Sequence, residues 1–377
     1  MARRGAAGGG GARAATAALA AAVLALGGCA FGRYVDVEMK NERGEVVTIR
    51  LPRGYPRPVV DPTGTMVGWL DLRFAEDLKA PAVMQSLDVL TPRAVLDALQ
   101  ASARGAEGSA AEVGRRPVIV FIHGGTWSAG DKRGGLALKA TRILGAGFLL
   151  VSVNYRLSPQ WKHPAHVEDV AAALAWLHRR APEFGGAPDG FVVVGHSAGA
   201  HLAALVASDE RWLAKHGLPL TLLAGAVSLD GGGYDLTERT QGEPMSERVV
   251  ASVFGPDRAV WADASPVNHL APGKGIPPFL LFQAGDRDIS VQATATFSAA
   301  LARAGLPFEV VRAADKSHRS IHREFGAPDD AVTDRFLQFA REVTARRAAA
   351  PTGPAPPKPH ARELESPQGA FVPQENR

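Results

Sequence analysis

The stretch Gly195-His196-Ser197-Ala198-Gly199 sets one hydroxyl between two glycines. An apolar run, Phe191–Val194, precedes it, and an Ala-rich helical stretch, Ala198–Ser208, follows. A serine held on so tight a turn projects above its strand, and the small residues keep strand and helix from colliding there. The start of the following helix favours negative charge that develops beside it. A serine hydroxyl is a poor nucleophile unless a base takes its proton, and that base needs an acid to orient it. Two aspartates, Asp286 and Asp288, lie just past the apolar run Phe279–Phe282, and two histidines, His318 and His322, lie past Phe308–Val311. Nucleophile, acid and base thus occur in the order a doubly wound sheet requires. A fourth piece is His123-Gly124-Gly125-Thr126-Trp127 after Val118–Ile122. There the backbone N–H of Gly124, Gly125 or Thr126 can join that of Ala198 in facing an oxyanion.

The elements needed to position these residues are present. Val118–Ile122, Phe148–Val153, Phe191–Val194, Ala224–Leu229, Phe279–Phe282 and Phe308–Val311 are short apolar runs of the kind buried on both faces of a sheet. Helical patterns at Leu136–Leu144, Val167–Arg180, Ala198–Ser208, Val291–Arg303 and Ala331–Ala345 alternate with them. The alternation predicts an α/β chain with a mostly parallel sheet covered by helices on both faces. Met84–Leu90 adds a strand before them, and Arg93–Arg116 is expected to loop out as a polar insertion. Gly231 to Pro272, with a short helix at Met245–Val253, is expected to form a small cap.

The composition fits one large core: 377 residues, 46% hydrophobic and 21% charged. The formal charge of +4 falls to about +1 once Arg3, Arg4 and Arg13 are set aside, which leaves no electrostatic footprint for nucleic acid. A single cysteine excludes an internal disulfide and Cys-rich metal sites. That cysteine, Cys29, follows an apolar run (Ala14–Leu26) and two glycines, in a sequence that resembles a bacterial lipobox. Residues 1–28 are then a signal peptide, 29–81 an arm or linker, 82–346 the catalytic domain and 347–377 a Pro-rich disordered tail. The expectation is an exported lipoprotein, held through lipidated Cys29 on the periplasmic or outer-membrane side.

Several longer stretches narrow the choice: His123-Gly-Gly-Thr-Trp127-Ser-Ala-Gly130-Asp131-Lys132, Asn154-Tyr155-Arg156-Leu157-Ser158-Pro159, and His163-Pro-Ala-His166 with Asp169. Gly195-His-Ser-Ala-Gly199, Gly285-Asp-Arg-Asp288 and His318-Arg-Ser-Ile321 complete the set. Together they resemble the α/β-hydrolase superfamily, in its hormone-sensitive-lipase-like and bacterial esterase branch, close to the arylformamidases (kynurenine formamidases). The resemblance implies Asp288 as the acid, with Asp286 a loop or cap residue, and His318 rather than His322 as the base. It implies cleavage of short-chain or aryl carboxylic esters by Ser197, Asp288 and His318, with Gly124, Gly125 and Ala198 as oxyanion donors and no cofactor. Two other functions use the same chain: an arylformamidase-type amide hydrolase, and a non-catalytic binding module that keeps the fold. His318/His322 and His163/His166 are spaced like metal pairs, but no acidic third ligand accompanies them at motif spacing, so no metal is expected. His196 is expected to be polar support, Trp127 a pocket wall, and Asp131 with Lys132 a structural loop pair.

Overall fold

The computed structural model describes residues 34–40, 46–52, 58–61, 63–75, 79–103, 115–239, 244–285 and 287–349. The apolar leader, Cys29, Asp286 and the residues from 350 onward lie outside them. Strands β1 (Tyr34–Lys40) and β2 (Val46–Pro52) form a two-stranded antiparallel sheet. The main sheet has nine strands: β3 (Val59–Val60), β4 (Met66–Arg73), β5 (Ser86–Pro92), β6 (Val118–Ile122), β7 (Leu149–Val153), β8 (Phe191–His196), β9 (Leu223–Leu229), β10 (Phe279–Ala284) and β11 (Phe308–Ala313). Their spatial order is β11-β10-β9-β8-β6-β7-β5-β4-β3. The six strands β6 to β11 run parallel, and β5, β4 and β3 add antiparallel neighbours.

Side chains alternate across this sheet with the period of two that a strand imposes. On β6, Val118, Val120 and Ile122 enter one apolar core while Ile119 and Phe121 enter the other. The first core is closed by α1 (Arg93–Ala103), α3 (Ala165–Arg180), α4 (Ala198–Ser208) and α9 (Asp288–Arg303); the second by α2 (Leu136–Gly145) and α11 (Ala331–Ala349). Between α4 and α9 run α5 (Glu210–Ala214), α6 (Leu236–Arg239), α7 (Pro244–Phe254) and α8 (Arg258–Asp263), the last three forming the small cap. The short α10 (Ser320–Arg323) follows β11. This is the α/β-hydrolase architecture, with its site expected at the carboxyl ends of the parallel strands.

Three local expectations change. The sheet reaches back into the supposed arm, since β3 and β4 lie between residues 59 and 73. Arg93 does not open a loop: α1 runs to Ala103, buries Val95 and Leu96, and carries an Arg93–Asp97 ion pair one turn apart. Finally, β11 is an edge strand with alternating exposure, and Phe308 and Val310 face solvent.

Candidate active site

Ser197 sits between β8 and α4 with φ +54° and ψ −117°, a backbone conformation that an L side chain adopts only under constraint. The constraint is visible in its neighbours. A Cβ on Gly195 would lie 2.1 Å from the Gly199 carbonyl oxygen, and one on Gly199 would lie 2.2 Å from that of Ile122 at the end of β6. No larger residue fits at either position, so the strand can turn straight into the helix with Ser197 at the apex.

The Ser197 hydroxyl lies 3.1 Å from His318 Nε2. Across the ring, His318 Nδ1 lies 2.5 Å from Asp230 Oδ2. The carboxylate can only accept, so Nδ1 carries the proton and Nε2 is free to accept from Ser197. Here the sequence expectation for Asp288 is corrected. Asp288 opens α9, is exposed, and does not line the cavity at Ser197. Asp230 immediately follows β9, the neighbour of β10, so the two strand ends offer alternative carboxylates to one histidine. The backbone of Asp230 is fixed by its N–H to the Phe282 carbonyl at 2.9 Å, in a left-handed conformation of φ +49°. Its side chain also accepts from the Ala284 N–H at 2.8 Å and the Ser290 hydroxyl at 3.1 Å. Burial alone would raise its pKa, but the His318 hydrogen bond, the Ala284 N–H and the charge of His318 together hold it below the usual carboxylate value. The overlooked signal was Leu229-Asp230-Gly231-Gly232-Gly233, an aspartate at the end of a buried strand followed by three glycines.

Behind His318 lies a stack of neutral bases. The His196 ring is 4.7 Å from those of both His318 and His322, and its Nε2–H donates to the His318 carbonyl at 2.9 Å. Burial and the neighbouring His318 lower His196 to about 4; burial, with Lys139 nearby, lowers His322 to about 3. Lys139 on α2 is fully buried, donates to the Gly134 and Gly135 carbonyls, and lies 4.9 Å from the Phe121 ring centroid. Burial lowers it to about 8. His163 and His166 are occupied elsewhere: His163 Nε2 is 3.5 Å from Asp263 Oδ2, and His166 Nε2 is 3.0 Å from the Ser158 hydroxyl.

The turn after β6 closes over the nucleophile. A Cβ on Gly124 would lie 2.8 Å from the His196 carbonyl and 3.2 Å from Ser197 Cβ, so the glycine lets this turn approach the elbow. Gly125, Thr126 and Trp127 all have positive φ, and Thr126, Trp127 and Ala198 line the cavity. Trp127 Nε1–H donates to His201 Nδ1 at 3.2 Å, and His201 Nε2–H donates to the Ala264 carbonyl at 2.8 Å. Further on, Lys132 is buried, with Nζ 2.5 Å from Asp71 and 3.4 Å from Asp88. Arg133 reaches the same two carboxylates. The Lys132 N–H donates to Asn154 Oδ1, and its carbonyl accepts from Ser152. Thus β4, β5 and β7 together clamp the far end of this turn.

The cavity at Ser197 has a volume of about 270 Å³, and its walls include His318, Asp230, Arg287, Ile289 and Ser290. The BD-FAE family model matches residues 109–302, just over half of the chain, including the nucleophile elbow, Asp230 and the turn at Gly124. The chain belongs to the BD-FAE family. Among curated relatives of this BD-FAE protein, esterase LipQ of Mycobacterium tuberculosis is 32% identical over 61% of this chain and 54% of its own length. The probable carboxylic ester hydrolase LipM of the same organism is 36% identical over 45% of this chain and 40% of its own. The BD-FAE chain thus spans about half the length of these relatives or less. Of solved structures, an inhibited esterase B from Lactobacillus rhamnosis superposes with a TM-score of 0.59 at 17% identity, over 75% of this chain and 89% of its own. At that identity, the likeness establishes the fold.

Proposed function

We propose that this chain hydrolyses carboxylic esters with short acyl or aryl groups through an acyl-enzyme intermediate. The observation that carries this reading is the continuous relay from Asp230 through His318 to the Ser197 hydroxyl, at 2.5 and 3.1 Å, opening into a cavity. Ser197 attacks the ester carbonyl while His318 Nε2 takes its proton. Asp230 holds the imidazole tautomer and stabilises the imidazolium. Backbone N–H groups of Gly124, Gly125 and Ala198 face the oxyanion, where each donor contributes about 3 kcal/mol to the transition state. His318 returns the proton to the leaving alcohol, then activates the water that releases the acid. No step requires a cofactor. A cavity of about 270 Å³ suits a small acyl group better than a long chain.

The test is turnover of p-nitrophenyl acetate by the wild type and by Ser197→Ala. Loss of several orders of magnitude is expected, and wild-type-like turnover in the variant rejects the assignment. The triad would equally serve an arylformamide such as N-formylkynurenine, the activity that a closeness to arylformamidases would imply. The ester reading is preferred because the matched curated relatives carry ester-hydrolase names. Leu26-Gly27-Gly28-Cys29 supports export and lipidation at Cys29, with the enzyme working from a membrane surface. Retention of palmitate label by Cys29→Ala would remove that part of the reading.

A further inference from the structure

Resting on the ester-hydrolase reading, we propose that Arg287 is a specificity-determining residue that binds an anionic group of the substrate, so that the preferred esters carry a carboxylate near the scissile bond. Arg287 lines the same cavity as Ser197 and His318. Three other arginines of the fold are committed: Arg133 holds Asp71 and Asp88, Arg156 holds Asp169, and Arg211 holds Asp209 and Asp263. The Arg287 guanidinium, by contrast, has no ion pair and no side-chain hydrogen bond among the described residues.

Among the described lining residues, no polar group supplies its counter-charge. Asp230 is the carboxylate in the wall, and it already accepts from His318, the Ala284 N–H and Ser290. Thr126 and Ser290 contribute neutral hydroxyls. One half-buried cation is therefore left facing a small polar space, and a planar guanidinium matches a carboxylate through two parallel hydrogen bonds. A second cavity of similar volume shares Ile289 as a wall, and its carboxylates are Asp235 and Glu238. The charges are thus sorted across Ile289: an anionic group is favoured beside Arg287 and repelled from the neighbouring space. With about 270 Å³ available, the carboxylate must lie within a few bonds of the ester.

The carboxylate can belong to either half of the ester, and two matched pairs of substrates separate these sources. Monomethyl succinate against methyl butyrate places the charge on the acyl side; 4-acetoxybenzoate against phenyl acetate places it on the alcohol side. In at least one pair, the wild type is expected to show a kcat/KM at least tenfold higher for the anionic member. That anionic-to-neutral ratio should fall at least tenfold in Arg287→Gln, recover in part in Arg287→Lys, and shrink with added salt in the wild type alone. A wild-type ratio of one or less in both pairs, or a ratio in Arg287→Gln within twofold of wild type, overturns the proposal. Neutral-ester turnover that disappears in Ser197→Ala keeps the ester-hydrolase reading standing in that event. Absence of wild-type turnover on all four esters would instead reject the underlying reading.

Discussion

Two groups of buried charge flank the turn that follows β6, and they are built to opposite ends. Asp230 and His318 meet at one wall of an open cavity, with His318 hydrogen-bonded to Ser197 on its other side. Lys132 and Asp88 are both fully buried and are joined by Asp71 and Arg133 in a four-membered cluster that contains no neutral, exchangeable base. In the proposed reaction the first pair changes its protonation. The second keeps its charges so that three strands and one turn stay in register. The contrast teaches that a buried ion pair in this fold has no single meaning: a histidine facing a cavity makes a relay, and a lysine closed in on all sides makes a clamp.

Removing the acid of the relay is the sharpest way to test that division. Asp230→Asn should lower kcat by about 10⁴-fold with little change in melting temperature, as loss of the orienting carboxylate does in other triads. Asp288→Asn, at the exposed start of α9, should stay within threefold of wild type. A larger loss in Asp288→Asn than in Asp230→Asn, in the same ester assay, would return the acid to the position first expected.

The clamp should fail in the other direction. Lys132→Met leaves buried Asp88 with Arg133 as its remaining cation and removes the fully buried member of the cluster, which costs about 3 kcal/mol of stability. Chemical denaturation reads that loss directly. The folded variant should keep more activity than Asp230→Asn does; equal loss of rate with unchanged stability would erase the distinction between the two groups.

Lys139 gives the smallest effect, because it belongs to neither group. Among the described residues it meets no carboxylate, and burial lowers it to about 8 from an ordinary 10.5. Between those pH values the unfolded chain binds more protons at this side chain than the folded one. Stability should therefore rise with pH through that window, by about 2–3 kcal/mol at most, and the penalty is complete below pH 8. Lys139→Met should lack this rise. Parallel melting-temperature curves for the two proteins from pH 7.5 to 10 would remove Lys139 from the account.

How much of this was legible in the sequence depended on how locally each feature is determined. Ser197 could be found because its constraints are contiguous: strand, glycine, serine, glycine and helix all lie within a few residues. Asp230 could not be chosen over Asp288 by pattern, because β9 and β10 are adjacent parallel strands and each is followed closely by an aspartate. Lys132 was recognisable as part of a charged loop, but it pairs with Asp71 and Asp88 rather than Asp131, and those partners lie some 44 to 61 residues away in the chain. The strand that carries Asp71 was hidden for a further reason. Its pairing with β5 shifts register between Trp69 and Leu72, which breaks the alternation that would have announced it. The exposed apolar face of β11 followed from its place at the sheet edge, which residue types alone do not reveal.

The Trp127–His201–Ala264 chain of hydrogen bonds has a mechanical consequence. Ala264 immediately follows α8 in the cap, His201 belongs to the helix that starts at Ser197, and Trp127 stands in the turn above the nucleophile. One imidazole is thus a strut between roof and floor. It fixes the height of the roof over the serine, so a bulky substrate must either fit beneath that height or break the hydrogen bond of a buried tryptophan to gain headroom.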